Sequence, residues 1–366
     1  MSTTVSVPST PVPDAMPGGN SRARLGDWRA FGVELNALPL DLLRSRYLEV
    51  GFLYPEKRAR LEPYWSEIDD GWRRTISAGD SLRRCFSWRS ADRTRWAAVE
   101  LWRATERSWW VQHLVANGGG AGSIATMLAA TARSFADPWL VGCEAWYRPA
   151  NSFARRMLGG GADALGPHGG RATHRYLRVS LDIGSRTPRA LRIRMVDHTG
   201  SQLRGLAAAC RHPAFPAITA LVDDPLLQAV DERYRRVGLR RYRRILTATD
   251  RSGQLVGAAL IHRGPLGMNY SFLENRCDLL LGESGPDQAA VTAQTLAAAA
   301  ADFYHDFPPG FIPIMVNVQS PSGTDSDIDR ALGGDLLQTY AQAAWLRGGL
   351  PRLAEHFKQA AAGRMP

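Results

Sequence analysis

From Trp96 onward the chain alternates large apolar and polar residues on either side of a short Ala-Thr-Glu-Arg break, the period-2 pattern of two antiparallel strands joined by a turn. It predicts strands over 96–103 and 109–116. Upstream the period changes. Leu38, Leu42, Leu43, Arg46 and Tyr47 share one helical face, and Leu61, Tyr64, Trp65, Ile68 and Trp72 repeat at spacings of three and four. Pro55 and Pro63 interrupt this stretch, so 38–76 reads as two or three helices. Residues 82–89 read as a strand leading into the hairpin, and 28–35 supply an earlier one. Downstream of the hairpin, Asn117-Gly118-Gly119-Gly120-Ala121-Gly122 runs into strong helix formers over 123–135, with Ser123 placed to cap them. Convergent backbone N–H groups of such a loop and the positive end of a helix dipole form an anion site without any cationic side chain.

Past a glycine-rich stretch the same order of elements recurs. Strands are predicted over 176–183 and 190–196, helices over 199–210 and 224–234, and a hairpin over 243–249 and 254–262 about Asp250-Arg251-Ser252-Gly253. A strand over 275–281, an alanine-rich helix over 287–304 and a strand over 310–318 complete it. The chain of 366 residues is long enough for two domains. The expected division is a Ser/Thr/Pro/Gly tail over 1–24 too poor in apolar residues to fold, a first domain over 25–161, a linker over 162–175, a second domain over 176–355 and a tail over 356–366. The fold class is α/β in the mixed sense, each domain a mostly antiparallel sheet flanked by helices.

The order strand, glycine loop, helix, strand, then an Asn ahead of a short helix resembles the core of the GNAT (N-acetyltransferase) superfamily. Asn117-Gly118-Gly119-Gly120-Ala121-Gly122 matches its loop with Asn in the first place, and Asn151-Ser152-Phe153-Ala154 matches the later element. The resemblance implies an acyltransferase that takes acetyl-CoA or another acyl-CoA and acts on a small-molecule or peptide amine. The acyl-CoA would lie against Val115, Asn117, Gly118, Gly119, Gly120, Ala121, Gly122, Ser123 and Asn151. One departure stands out: the family often places a tyrosine acid seven residues after that Asn, and here the residue is Leu158. The second copy has Gly282-Glu283-Ser284-Gly285-Pro286-Asp287 where a phosphate loop belongs. Its carboxylates repel a pyrophosphate and its proline removes a donor, so this half is read as a scaffold without cofactor.

Acyl transfer to an amine needs a base near the acyl carbonyl. In the first half the groups on offer are Glu100, on the earlier hairpin strand, and His113, four residues before Asn117; the alternative for each is a wet-face carboxylate or a core imidazole. The net charge of +10 invites nucleic acid, yet of the 45 basic residues only Lys57 and Lys358 are lysine, a bias that a GC-rich bacterial genome produces by itself. The densest cluster, Arg233 to Arg244 with Tyr234 and Tyr242, suits either phosphate contacts or a solvated helix end, and the second is favoured. Arg240 and Arg244 with Asn269-Tyr270-Ser271 resemble the cyclic-dinucleotide motif of PilZ domains, though Glu274 stands where its glycine belongs, and a basic tandem chain also resembles aminoacyl-tRNA-dependent FemABX-like transferases. A nucleotide-binding regulator and an aminoacyl transferase therefore stand beside the acyl-CoA reading. Cys85, Cys143, Cys210 and Cys277 are isolated and the eight histidines lack ligand spacing, which predicts reduced thiols, no metal and a cytoplasmic setting. No membrane span or signal peptide is expected.

Overall fold

The computed structural model describes residues 28–118, 120–186, 191–196, 227–282, 286–317 and 324–362. Twelve strands form one sheet. They are β1 (Val33–Leu35), β2 (Arg83–Arg89), β3 (Trp96–Thr105), β4 (Ser108–Asn117), β5 (Gly142–Tyr147), β6 (Gly169–Val179), β7 (Arg192–Val196), β8 (Tyr242–Thr249), β9 (Leu255–Arg263), β10 (Cys277–Leu281), β11 (Ile312–Asn317) and β12 (Asp335–Leu346). Their order across the sheet is β1-β2-β3-β4-β5-β12-β6-β11-β10-β9-β8-β7.

Counting inward from either edge gives the same relations. Four antiparallel strands lead to a parallel pair, β4 with β5 in the first half and β10 with β11 in the second. Next comes a strand from the other half: β12 pairs antiparallel with β5, and β6 with β11. β6 and β12 then pair with each other at the centre, antiparallel from Asp335↔Arg178 to Trp345↔Gly169. The two halves are thus related by an internal repeat and locked by exchanged strands. Residues 162–175, expected as a linker, are instead the end of a helix and most of β6. Glycine there is a packing requirement: a Cβ on Gly169 would lie 1.9 Å from the Ala162 carbonyl oxygen, and just before this stretch one on Gly161 would lie 2.8 Å from Leu353.

The helices are α1 (Leu40–Glu49), α2 (Pro55–Leu61), α3 (Trp65–Ser77), α4 (Gly120–Phe135), α5 (residues 152–164, with a wider π turn at Arg155–Gly159), α6 (Leu227–Arg236), α7 (Pro286–Ala301), α8 (Thr324–Leu332) and α9 (Leu350–Ala361). Of the two or three helices expected between 38 and 76, three are present, with Pro55 at the first turn of α2 where its missing N–H costs nothing. α3 buries Ile68, Gly71, Trp72 and Thr75 along one stripe. The helix expected over 199–210 and the tail over 1–24 lie outside the described residues. α9 extends through residues expected as tail, and Phe357 on it is fully buried. The first strand is shorter than expected, because Trp28–Phe31 is a 3-10 turn.

Two large cores result. One gathers Phe86, Val99, Leu101, Trp109 and Val111 of the first-half strands beneath α4, α5 and α9. The other joins α1 to α3 and the opposite side of β2 to β4 to the second half's sheet and α7, with Met268, Tyr270 and Phe272 of the β9–β10 connection between them. Both faces of β3 are therefore covered, which is why its polar positions are as buried as its apolar ones.

Candidate functional site

β4 and β5 run parallel only from Ser108↔Gly142 to Val111↔Ala145, then diverge. The cause lies in β4. Between Ala98↔Val115 and Glu100↔Gln112 the pairing with β3 slips, two residues of β4 opposing one, and His113 within the bulge has φ 53°. A bulge bends its strand, so β4 carries its last residues away from β5 and leaves a gap. Asn117 ends β4 and the chain turns through Gly118, at φ 72°, into α4.

The helix starts three residues earlier than expected, at Gly120, so Ser123 is a buried residue of its first turn and not its cap. Asn117 is committed to the turn. Its Oδ1 accepts the Trp96 N–H at 2.7 Å, and its Nδ2 donates to Glu49 and to the Thr94 carbonyl. Gly118, Gly120 and Ala121 are exposed, whereas Gly122 lies against the sheet, where a Cβ would meet Trp88 at 2.6 Å and Ala97 at 2.9 Å. A Cβ on Gly120 meets only Phe153 at 3.7 Å and Ile124 at 3.9 Å, so the backbone is open there. Asn151 caps α5 by accepting the Ala154 N–H at 3.0 Å. Val115 is buried in the core on the far side of the strand.

The loop follows β4 and Asn151 follows the parallel β5, so both lie at the same end of the parted strands, while the two acid–base candidates are deep in the core. Glu100 is fully buried and accepts from Arg83 at 2.7 Å, Arg83 being 2 % exposed. Although burial opposes its charge, Glu100 holds the Arg83 guanidinium above its ordinary value. Its position in β3 made it legible as a carboxylate near the gap; that it answers a buried arginine from β2 was not. His113 is enclosed by Tyr47, Phe52, Trp72 and Tyr270, stacked on Tyr270 at 4.9 Å and on Trp72 at 5.6 Å. Burial, then Lys57 and Arg83, push its pKa well below the usual imidazole range, so it is neutral and a weak base. Leu158 packs in the first-half core and does not replace the missing acid.

Sequence reasoning missed the second half's contribution. Gln112, beside the bulge, donates to the Met268 carbonyl at 2.9 Å and accepts from Asn269 at 2.8 Å. Trp72 donates to the Gly267 carbonyl, and the buried Glu274 carboxylate accepts the N–H groups of Gly267 and Asn269. The β9–β10 connection is in this way folded under the first half, and Asn269 and Glu274, the residues of the cyclic-dinucleotide resemblance, are spent holding it. Part of the arginine cluster is tied to acids: Arg233 makes two bonds to Glu106, Arg240 pairs with Asp306, and Arg241 pairs with Asp231.

Among the described residues no group of histidine, cysteine and acidic side chains could hold a metal ion, and no helix is long and apolar enough to cross a membrane. Cys85, Cys143 and Cys277 are free and buried.

No protein-family model matches the chain, and no curated protein is similar to it in sequence. Solved structures are similar in shape. A tandem GNAT protein from the clavulanic acid biosynthesis pathway aligns over 76 % of this chain and 88 % of its own, at 12 % identity and a TM-score of 0.36. A GCN5-related N-acetyltransferase from Sphaerobacter thermophilus covers 73 % and 81 % at 14 % and 0.37, and a putative acetyltransferase from Pyrococcus horikoshii 86 % and 89 % at 11 % and 0.39. The chain folds as two repeated units in tandem that share one mixed, mostly antiparallel sheet flanked by helices.

Proposed function

We propose that the first half is an acyl-CoA-dependent N-acyltransferase and that the second half supports it without binding cofactor. The observation that carries this is the gap between β4 and β5 ending at an exposed glycine turn into a sixteen-residue helix. Gly120 and Ala121 are exposed in the first turn of that helix, where backbone N–H groups have no intrahelical acceptor, a fit for a pyrophosphate. Beyond Val111 the edge of β4 that no longer pairs with β5 offers backbone groups to an extended pantetheine-like arm. When bound, an acyl-CoA supplies the activated acyl group; the protein orients it and excludes water. In the second half, α7 begins with Pro286 and Asp287, which suit no anion, while residues 283–285 of that turn lie outside the described residues.

Isothermal titration with acetyl-CoA tests the reading. One site per chain is expected. Gly120→Val should weaken binding at least tenfold, because the branched side chain covers the turn while meeting only Phe153 and Ile124 in the protein. Gly122 is no use for this test, since its substitution drives into Trp88. No heat in the parent protein, or equal affinity in the variant, would overturn the site.

A further inference from the structure

Lys57 is buried, 6 % exposed, in a chain that writes nearly every other cation as arginine. No carboxylate lies within ion-pair distance of it among the described residues. Its Nζ donates to the Phe52 carbonyl at 3.4 Å and sits 4.0 Å from the Phe52 ring centroid and 5.5 Å from that of Tyr54. The Phe52 ring is in turn 5.3 Å from His113 at the bulge of β4. On the other side Arg148, the residue after β5, donates to the Tyr54 hydroxyl and lies over its ring. α2 therefore holds the amine between His113 of β4 and Arg148 at the end of β5.

The charged and titratable groups facing it are Arg60 from its own helix, Arg148 beyond β5, His113 from β4 and Tyr54 ahead of α2; Tyr340 of β12 faces Arg148 and Tyr54. Burial, then Arg148 and Arg60, hold the Lys57 amine down to about 7. A buried, unpaired ammonium is costly, and losing the proton removes that cost. An arginine in this place could not lose it. Lysine is the cation that can serve here as a base.

We propose that Lys57 is the proton acceptor for acyl transfer in the first half, a role that rests on the acyl-CoA reading of the gap. As the acceptor nitrogen bonds to the acyl carbon and the carbon–sulfur bond breaks, the proton of the amine passes to Lys57 Nζ and the electron pair leaves with the thiolate. The same proton then moves from Nζ to the thiolate. A thiol with a pKa of about 8.5 holds a proton more firmly than an amine near 7, so that return is downhill. One side chain thus covers both the base that Glu100 and His113 do not supply and the acid that is missing at Leu158.

Because the chain has two lysines, labelling with trace acetic anhydride followed by peptide mass spectrometry reads Lys57 against Lys358 as an internal reference. Lys57 is expected to gain reactivity with a midpoint near pH 7. Saturating free CoA should lower Lys57 labelling at least tenfold and leave Lys358 unchanged. Lys57→Met, which keeps the stem, should bind CoA within threefold of the parent. A midpoint near 10, or no labelling of Lys57 at any pH, overturns the proposal. So does CoA that binds by calorimetry without protecting Lys57, or a methionine variant that no longer binds, which would make the amine a phosphate-binding cation. If the parent binds no CoA, the acyl-CoA reading itself falls, and the role of Lys57 falls with it.

Discussion

Glu100→Leu is expected to destabilise the protein by about 3–5 kcal/mol, because it leaves the Arg83 charge without its partner in a place that water does not reach. Arg83 is 2 % exposed and Glu100 has no exposed surface, so neither solvent nor a shift of side chain can replace the 2.7 Å contact. The Trp72 ring under the guanidinium, at 5.4 Å, offsets only part of the loss. Urea unfolding of the variant measures it directly. The double variant Arg83→Met/Glu100→Leu should recover most of the stability, since removing both charges removes the unmatched one. A Glu100→Leu protein that unfolds at the parent's urea midpoint yet has lost acyl transfer would instead return Glu100 to the chemistry. The distinction matters in practice. A loss of activity in an alanine scan at this position is expected from unfolding alone.

Much of the first half was readable because its signals are local. The hairpin of β3 and β4 shows as alternation, the three early helices as threefold and fourfold spacing broken by Pro55 and Pro63, and the glycine turn as composition. What the sequence hides is distance. Seven arginines between 233 and 244 look like a binding face, but Glu106 and Asp306, which neutralise two of them, are far off in the chain. Glycines 161 and 169 look like a flexible linker because local reading cannot tell a glycine that frees the backbone from one that lets a helix and a strand touch. β12 was missed for a related reason. Its outer residues are exposed and three of its buried inner ones are alanine, Ala341, Ala343 and Ala344, and alanine carries no strand signal. Lys57 was visible only as one of two lysines; its burial and its lack of an acid partner are properties of the fold.

Neither half is expected to fold alone, and the full chain should melt in one step. β12, encoded last, closes the first half against β5, while β6, encoded before the second half begins, closes it against β11. A fragment over 172–366 starts inside β6 and leaves β12 with an unpaired edge along Gly142–Tyr147 of the missing β5. A fragment over 1–180 keeps β5 and β6 but has nothing between them, and exposes the Ala341, Ala343 and Trp345 side of its core. Exposed strand edges of this length are aggregation-prone, so each fragment is expected to be insoluble when expressed singly and to yield soluble complex when the two are co-expressed. In scanning calorimetry of the intact chain the calorimetric and van't Hoff enthalpies should agree, as they do for a single cooperative unit. Two separated transitions, or a soluble 172–366 fragment with a sigmoidal melt of its own, would show that the exchanged strands add contacts without making the halves interdependent. The expected outcome carries a consequence for the site. On the proposed reading, a cofactor bound by the first half would stabilise the only folded state available to both, so acetyl-CoA at a hundredfold excess over its dissociation constant should raise the stability of the whole chain by about 2.7 kcal/mol in one shifted transition.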